Sequence, residues 1–462
     1  MATGTQKFDA IIIGAGQAGP PLAGRLTAAG HTVAVIERKL VGGTCVNYGC
    51  IPTKTLVASA HAAHVARRGA EYGIGTGEIS VDMTKVKSRK DKVMIGDREG
   101  VESWLEGMQN CTLIFGHARF EDPHTVRVDD EQVLWADRIF LNVGGRAVTP
   151  DLPGLSDIDY LTNVGILDLD TLPEHLVIIG GSYIALEFAQ MYRRFGAEVT
   201  VIERGPRLTS REDEDVSAAI KDILENEGIA VELDATDISF RKHANGFEVT
   251  PRDGAGPIAG THLLMAVGRR PNTDDLGLEN AGVETDSRGN VIVDDQCRTN
   301  VDHIWAMGDC NGRGAFTHTS YNDFEIVAAN LLDDDPRKVS DRVPTYALYI
   351  DPPLGRAGLT ADQVRESGRK ALVGKRPMTR VGRAVEKGET QGFMKVVVDA
   401  ETEEILGAAI LGVGGDELVQ DILDVMTAKL PYTAISRTMH IHPTVSELVP
   451  TMLQEMAPLG RD

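Results

Sequence analysis

Two similar segments of this chain each contain a short apolar run, a glycine-rich turn, a helical stretch and a second apolar run that ends in glutamate. They read DAIIIGAGQAGPPLAGRLTAAGHTVAVIER and HLVIIGGSYIALEFAQMYRRFGAEVTVIER. In both, the opening glycine (Gly14, Gly180) lies 23 positions before the closing acid (Glu37, Glu203). A strand, a helix and a second strand joined in this way form a βαβ unit that can bind a dinucleotide. The repeat therefore predicts two nucleotide-binding domains.

The first copy carries the complete glycine fingerprint Gly14-x-Gly16-x-x-Gly19. Gly14 suits the tight turn, Gly16 allows the backbone to approach a pyrophosphate, and Gly19 allows close packing of the helix. The N–H groups at the start of that helix favour a negatively charged diphosphate. Because the motif follows a strand, opens a helix and precedes Glu37 at the expected distance, it predicts a dinucleotide site.

The second copy departs from the fingerprint, because Ser182 and Ala185 replace its middle and last glycines. Alanine is an accepted last residue, and serine adds only a small side chain near the phosphates. Glu203 would accept a hydrogen bond from a ribose 2′-hydroxyl and repel a 2′-phosphate, which favours NADH. Arg204 and Arg207 beside it could instead bind that phosphate, so the choice between NADH and NADPH stays open.

Length and charge limit the classes of function. The chain has 462 residues, enough for several domains, and a formal net charge of −21. This charge argues against a general nucleic-acid surface or an anionic membrane as partner. No apolar stretch approaches the roughly 18 residues of a membrane span, and the N-terminus has no signal-peptide pattern, so we expect a cytoplasmic protein.

The segment GGTCVNYGCIPTK contains two cysteines five positions apart, Cys45 and Cys50. In an ideal helix this spacing is about 7.5 Å along the axis, beyond the roughly 7 Å that a disulfide can bridge. A disulfide here needs a distorted backbone, and Asn47 and Gly49 are residue types that tolerate one. A metal site is the alternative, but structural zinc normally has four ligands, and no second Cys/His pair has this spacing. We predict no resident metal.

This segment, both βαβ units, TNVDHIWAMGDCNG and HIHPTVSELVP together resemble the class I pyridine nucleotide-disulfide oxidoreductase family, over essentially the whole chain. That family includes lipoamide dehydrogenase, glutathione reductase and mercuric reductase. The resemblance implies an α/β fold with two Rossmann-like domains, which bind FAD and NAD(P), and a C-terminal α+β dimerisation domain. It divides the chain into 1–150 (FAD, first part), 151–270 (NAD(P)), 271–340 (FAD, second part) and 341–462 (dimerisation).

The resemblance also implies roles for individual residues around the cysteines. Cys45 is similar to the interchange thiol that meets the substrate, and Cys50 to the thiol that lies against the flavin. Lys54 would lie near the flavin N5 atom and pair with Glu187. Electrons would pass from NADH or NADPH through FAD to the Cys45–Cys50 disulfide.

His442 and Glu447 match the family's acid/base pair, in which the imidazole of one subunit serves the thiols of the other. A symmetric homodimer follows from that resemblance. Asp309 would contact the ribityl-phosphate region of FAD, and Glu37 the adenosine ribose. The residues predicted to bind the two cofactors are Gly14, Gly16, Gly19, Glu37, Arg38, Gly43, Thr44, Lys54, Gly144, Asp309, Gly180, Ser182, Tyr183, Ile184, Glu187, Glu203, Arg204 and Gly268.

Evidence in the sequence for the final electron acceptor is less direct than that for the cofactors and the cysteine pair. The stretches GGSYIALE, RLTSREDEDVS and YIDPPLGRAGLT resemble mercuric reductase-like flavoproteins, which favours a metal ion of the Hg(II) or Cu(II) type, or a quinone-like acceptor. The sequence ends EMAPLGRD, without the terminal cysteine pair of mercuric reductases, and it keeps His442. Dihydrolipoamide or another small disulfide is therefore the alternative. A flavin-containing redox sensor with little turnover is a second alternative.

Overall fold

The computed structural model describes residues 4–129 and 131–460. By its internal contacts the chain divides into two compact units. The first comprises Met1–Thr55, Thr84–Val148 and Gly268–Asp341, and the second comprises Leu56–Met83, Thr149–Val267 and Arg342–Asp462. No helix in the described ranges is long and apolar enough to cross a membrane.

The described residues form 22 strands and 13 α-helices. The strands are β1 Gln6–Ile13, β2 Val33–Glu37, β3 Cys111–Phe115, β4 Ala118–Phe120, β5 Thr125–Val128, β6 Gln132–Leu141, β7 Gly145–Ala147, β8 His175–Ile179, β9 Glu198–Ile202, β10 Ala230–Glu232, β11 Ser239–His243, β12 Gly246–Thr250, β13 Ile258–Gly260, β14 His262–Met265, β15 Arg269–Pro271, β16 Ile304–Ala306, β17 Thr345–Leu348, β18 Leu354–Gly358, β19 Ala371–Pro377, β20 Phe393–Asp399, β21 Ile405–Leu411 and β22 Ala457–Pro458. The helices are α1 Gly19–Ala28, α2 Gly43–Tyr48, α3 Cys50–Arg67, α4 Met83–Gly107, α5 Tyr183–Phe195, α6 Glu214–Asn226, α7 Leu278–Ala281, α8 Thr317–Ala328, α9 Ala361–Glu366, α10 Gly382–Glu386, α11 Gly415–Thr427, α12 Thr433–Ser436 and α13 Val449–Gln454.

The main sheet of the first unit has the strand order β3-β2-β1-β6-β5-β4, with β16 also paired to β6. Strands β1, β2, β3, β6 and β16 run parallel. Ile11 and Ile13 of β1 pack into one apolar cluster, whereas Ala10 and Ile12 pack into another. A parallel strand covered on both faces requires such an uninterrupted apolar run. The β1-α1-β2 unit is thus formed as the sequence predicted.

The second unit contains the other predicted βαβ unit, β8-α5-β9, in a parallel sheet of order β10-β9-β8-β14. The next three strands along the chain form a small antiparallel sheet, β11-β12-β13. The C-terminal part forms an antiparallel sheet of order β17-β18-β21-β20-β19-β22. Helices α11 and α13 pack against its apolar face, so the predicted α+β organisation of this part is confirmed.

Candidate functional site: two nucleotide fingerprints and a cysteine pair

The first glycine turn follows β1 and is closed by Asn142, the residue after β6. Gly14 has φ +101°, and a Cβ atom on it would lie 2.3 Å from the Asn142 carbonyl oxygen. A Cβ on Gly16 would lie 2.9 Å from Asn142 Oδ1, which also accepts the Gly19 N–H at 3.1 Å. Only glycine fits the left-handed conformation and close approach at Gly14. Helix α1 then begins at Gly19, with its N-terminus at this turn.

Glu37 ends β2 at the same edge of the sheet. Its side chain is 8% exposed, and its carboxylate accepts the Ala15 N–H at 3.0 Å and the Lys39 N–H at 2.8 Å. Arg38, next in sequence, pairs with Asp275 at 3.1 Å. The acid is therefore held beside the glycine turn, where the sequence predicted contact with a ribose.

The cysteine segment is a helix interrupted at Gly49. Helix α2 ends at Tyr48, Gly49 adopts φ −138° and ψ −117°, and α3 begins at Cys50. This is the distorted backbone that a disulfide at this spacing requires. The expectation for Asn47 was wrong: it is helical and buried, and its Nδ2 donates to the carbonyls of Val41 and Gly43. Its side chain ties the segment to the preceding loop, since an amide has donors for both carbonyls.

Cys45 and Cys50 are free thiols that lie close together, and the side chain of Thr317, at the start of α8, lies beside them. The Thr317 hydroxyl is 3.1 Å from Cys50 Sγ. The hydrogen bond with Cys50, together with burial, raises the pKa of the Cys45 thiol far above its usual value. Cys50 stands at the first position of α3, and a helix N-terminus and a neighbouring hydroxyl are both features that stabilise a thiolate.

Lys54 and Thr53 lie on the first turns of α3. Lys54 Nζ is 3.4 Å from Thr53 Oγ1, whose hydroxyl donates to the Gly49 carbonyl at 2.7 Å. Glu187 lies in the second unit, on α5. The pairing of Lys54 with Glu187 stays a prediction.

Asp309 is connected to the cysteine segment through Arg269. The Arg269 guanidinium lies 3.6 Å from the Asp309 carboxylate and donates to Thr44 Oγ1 at 3.3 Å. Burial raises the pKa of Asp309, although the charge of Arg269 opposes the shift. Gly43 precedes Thr44, and a Cβ on it would lie 2.8 Å from the Gly16 Cα. The cysteine segment thus begins directly against the first glycine turn.

Gly144 and Gly268 lie in turns of the first unit. The Gly144 carbonyl accepts the Asn272 N–H at 3.0 Å, and the Gly268 carbonyl accepts the Val148 N–H at 3.0 Å. Strands β7 and β15, which follow these glycines, pair antiparallel. Each of the two predicted glycines therefore directly precedes one strand of the same short antiparallel pair.

The second glycine turn follows β8 and leads into α5. Gly180 has φ +118°, and a Cβ on it would lie 2.4 Å from the Ala266 carbonyl oxygen. Ser182 is exposed at the N-cap of α5. Glu203, at the end of β9, accepts the Gly205 N–H at 2.7 Å, and Arg204 is exposed beside it. The turn, the helix N-terminus and the acid are arranged as in the first copy.

Helix α5 carries three further predicted residues. Tyr183 and Ile184 are half-buried on its first turn. Glu187 is buried, and its Oε1 accepts the N–H of Tyr349 at 3.1 Å.

His442 and Glu447 form the predicted pair. His442 Nδ1 lies 2.7 Å from Glu447 Oε2. The imidazole is 82% exposed, whereas the carboxylate is 13% exposed. A carboxylate on Nδ1 fixes the ring and its tautomer, so Nε2 remains available for proton transfer.

The sequence profile of the family described as pyridine nucleotide-disulphide oxidoreductase matches residues 8–323. The profile of the dimerisation domain of the same family matches residues 344–453. The chain belongs to the class I pyridine nucleotide-disulfide oxidoreductase family: it is a flavoprotein oxidoreductase whose cofactors are FAD and NAD(P)H.

Individual relatives match nearly the whole chain. A probable pyridine nucleotide-disulfide oxidoreductase of Escherichia coli, RclA, is 37% identical over 96% of this chain and 97% of its own length. A dihydrolipoyl dehydrogenase of Geobacillus stearothermophilus is 32% identical over 96% and 94%. A mercuric reductase of Streptomyces lividans is 33% identical over 95% and 94%. The solved Cu(II) complex of the HOCl-induced flavoprotein disulfide reductase RclA matches with a TM-score of 0.89, at 36% identity, over 97% and 99%.

The residues present fit both cofactors. The turn at Gly14 cannot take a side chain, and α1 begins directly after it, so the N-terminus of that helix lies where a diphosphate would bind. Asp309 is a largely buried carboxylate that lies 3.6 Å from the Arg269 guanidinium and could also accept a hydrogen bond from a hydroxyl group of the cofactor. In the second unit the N-terminus of α5 and Glu203 offer the corresponding contacts to a nicotinamide dinucleotide.

Three residues of the site were not predicted from the sequence: Asn142, Arg269 and Thr317. Asn142 follows the apolar run RIFL, and Arg269 stands in the glycine-containing stretch AVGRRPN. A polar residue directly after a buried strand is a signal for the edge where ligands bind in α/β sheets. Thr317 offers no such signal, because its proximity to Cys50 depends on tertiary packing across 267 positions.

Proposed function

We propose that this protein is an NAD(P)H-dependent reductase that passes electrons through its Cys45/Cys50 pair to a metal ion of the Cu(II) or Hg(II) type. The observation that carries the proposal is the pair of thiols Cys45 and Cys50, which lie close together beside the Thr317 hydroxyl. We propose that Cys50, at the N-terminus of α3, forms the thiolate. Thiolates are preferred ligands of soft metal ions. A quinone-like acceptor belongs to the same proposal, since it also takes electrons without disulfide exchange.

The cofactors supply the electrons. FAD, when bound, would supply the two-electron chemistry that links NAD(P)H to the disulfide. Gly14, Glu37 and Asp309 would hold FAD, while Glu203 and the N-terminus of α5 would hold the nicotinamide dinucleotide. Because Glu203 accepts donors and repels phosphate, NADH is the proposed preference, with Arg204 as the residue that permits NADPH.

The Cys45 and Cys50 thiols then bind and reduce the acceptor. Cys45 and Cys50 together bind the metal ion. When the pair reduces two Cu(II) ions to Cu(I), it gives up two electrons and whatever protons its sulfur atoms still hold, which is one proton for a thiol paired with a thiolate, and the disulfide forms again. The Thr317 hydroxyl, 3.1 Å from Cys50 Sγ, would stabilise a thiolate there by donating a hydrogen bond to it. The copper complex of RclA supports this choice of acceptor.

A small disulfide such as lipoamide is the second candidate, and the His442–Glu447 pair favours it. Thiol–disulfide exchange needs a base for the incoming thiol, and a carboxylate-held imidazole provides one. The similarity to dihydrolipoyl dehydrogenases supports this reading. We further propose that the active form is a homodimer in which His442 of one subunit serves the thiols of its partner, which the dimerisation domain supports.

Anaerobic titration with NADH, and then with NADPH, tests the electron path. We expect a long-wavelength thiolate-to-flavin charge-transfer band that is lost in Cys50→Ser. Cys111→Ser is the matched control, because burial raises the pKa of Cys111 to about 11 and keeps that thiol protonated. Reduction of the flavin without such a band would contradict the relay and favour the redox-sensor alternative.

The two acceptors are separated by His442→Gln. Loss of a general base typically costs about 10²–10⁴-fold in rate, so lipoamide turnover should fall by that amount. Cu(II) reduction, followed with a Cu(I)-specific chelator, should change little because metal ligation needs no proton from an imidazole. Failure of wild-type protein to reduce Cu(II) or Hg(II), with efficient lipoamide turnover, would reverse the order of the two candidates.

A further inference from the structure

One face of α5 is bound to a short segment of the C-terminal region, residues 349–351. Glu187, Gln190 and Arg194 stand at positions i, i+3 and i+7 of α5 and therefore share a face. All three are buried. Polar side chains in such positions are stable only when they are hydrogen-bonded.

Residues 349–351 supply the partners for this face. The N–H of Tyr349 donates to Glu187, and the N–H of Asp351 donates to Gln190 Oε1 at 2.7 Å. Gln190 Nε2 returns a bond to the Asp351 carbonyl at 2.8 Å. Arg194 Nη1 donates to Asp351 Oδ2 at 2.6 Å. Helix α5 is thus fixed along its length to one segment, with Asp351 at two of the three positions.

Asp351 also holds α3, the helix that begins at Cys50. His61 of α3 lies with its Nδ1 2.8 Å from Asp351 Oδ2. Burial opposes ionisation of Asp351, but the hydrogen bonds from His61 and Arg194 outweigh it and hold its pKa well below the usual range. Arg67, at the end of α3, donates to the Arg194 carbonyl at 2.5 Å. One carboxylate therefore connects the helix of the second fingerprint to the helix of the reactive cysteine.

We propose that Asp351 is a positioning residue for flavin reduction: it fixes the rotation and axial position of α5, and so the placement of Tyr183 and Glu187 toward the nicotinamide. This inference rests on the proposed function. Rates of transfer are sensitive to such placement, because a misplacement of about 1 Å can cost about a hundred-fold. Asp351 touches neither cofactor in this role and acts through α5.

The chain provides a matched control in Glu227. Arg194 donates to both carboxylate oxygens of Glu227, at 2.8 and 2.7 Å, as well as to Asp351. Glu227→Gln and Asp351→Asn each remove one negative charge from the same buried guanidinium. Asp351→Asn acts directly on the contact between α5 and residues 349–351, whereas Glu227→Gln reaches it only through Gln190 and Arg194, which both donate to Glu227. A purely structural role predicts the same result for both variants.

The measurement is the limiting rate of flavin reduction at saturating NADH, in anaerobic stopped flow, on FAD-loaded protein. We expect Asp351→Asn to lower this rate by about ten-fold, and Glu227→Gln to change it by less than about three-fold at a similar loss of thermal stability. The dissociation constant for NADH should change less than the limiting rate. Equal slowing in both variants, or normal rates in both, would overturn the inference.

A second variant keeps the inference testable if Asp351→Asn does not fold. Gln190→Met removes both bonds to the Asp351 backbone and leaves the charges in place, and it should also slow flavin reduction; a normal rate would overturn the proposal. If neither NADH nor NADPH reduces the wild-type flavin while dithionite does, the proposed function itself fails. A reducible wild type with unaffected variants contradicts only the role of Asp351.

Discussion

The two βαβ units of this protein share a tight opening glycine but differ at the middle fingerprint position and at the closing acid, which are more enclosed in the first unit than in the second. In the first, Asn142 and Gly43 pack against the glycine turn, and Glu37 is buried with two backbone N–H donors. In the second, Ser182 is exposed, and Glu203 is half-buried with the Gly205 N–H as donor. An enclosed turn suits a cofactor that stays bound, and an open one suits a nucleotide that must leave in every cycle.

The largest effect should come from adding one methyl group to each opening glycine. In Gly14→Ala the new Cβ would meet the Asn142 carbonyl at 2.3 Å, and in Gly180→Ala it would meet the Ala266 carbonyl at 2.4 Å. Both positions also have positive φ, where alanine is strained. We expect Gly14→Ala to be purified without FAD, and Gly180→Ala to retain FAD but lose reduction by NAD(P)H.

Flavin absorbance per polypeptide and anaerobic reduction measure both outcomes. Dithionite should still bleach the flavin of Gly180→Ala, which shows that the flavin itself is intact. If Gly180→Ala also lost FAD, the two turns would not be independent, and the comparison between them would fail.

The second-largest effect is expected at the acids that end the two βαβ units, Glu37 and Glu203. Glu203→Gln removes the charge that repels a 2′-phosphate, while Arg204 remains, so we expect the ratio of kcat/KM for NADPH to that for NADH to rise by about ten-fold. Glu37→Gln should leave this ratio unchanged and instead weaken FAD retention, because an amide oxygen replaces the two acceptors used by Ala15 and Lys39. Steady-state kinetics and the FAD content after dialysis test the pair. A change of nucleotide preference in Glu37→Gln would show that the two sites had been assigned the wrong way round.

A smaller effect is expected at the thiols. Thr317→Val keeps the shape of the side chain but removes the hydroxyl that lies 3.1 Å from Cys50. A charge-assisted hydrogen bond is worth about 1.5–3 kcal/mol, so the pKa of the thiolate-forming group should rise by about one unit or more. A pH titration of the charge-transfer band measures the shift, with Thr319→Val, which lies on the same helix turn, as the control. An unchanged titration would mean that the Thr317 hydroxyl does not stabilise the thiolate.

The sequence predicted those parts of the molecule that depend on local patterns. Continuous apolar runs predicted β1 and β8 as buried strands, and the spacing of Cys45 and Cys50 marked them as a close pair, whose redox role was implied by the family resemblance. The role of Asn47 was misjudged, because its residue type indicates a tolerant backbone whereas its side chain bonds two carbonyls. Thr317 could not be found, since its contact with Cys50 joins segments far apart in the chain. Contacts of that kind are set by packing of whole elements, which periodicity does not encode.

The smallest effect is expected from restoring a glycine to the second fingerprint. Ser182 has φ −104°, an ordinary conformation for any residue, and it is exposed at the N-cap of α5. Ser182→Gly should therefore relieve no strain, and because glycine is nearly as good an N-cap as serine, it should change the KM for NADH by less than about three-fold. The same substitution would matter in a turn as enclosed as the one at Gly16, where a Cβ would lie 2.9 Å from Asn142. A large fall in KM for Ser182→Gly would show that the serine side chain obstructs the phosphates and that the second turn is as enclosed as the first.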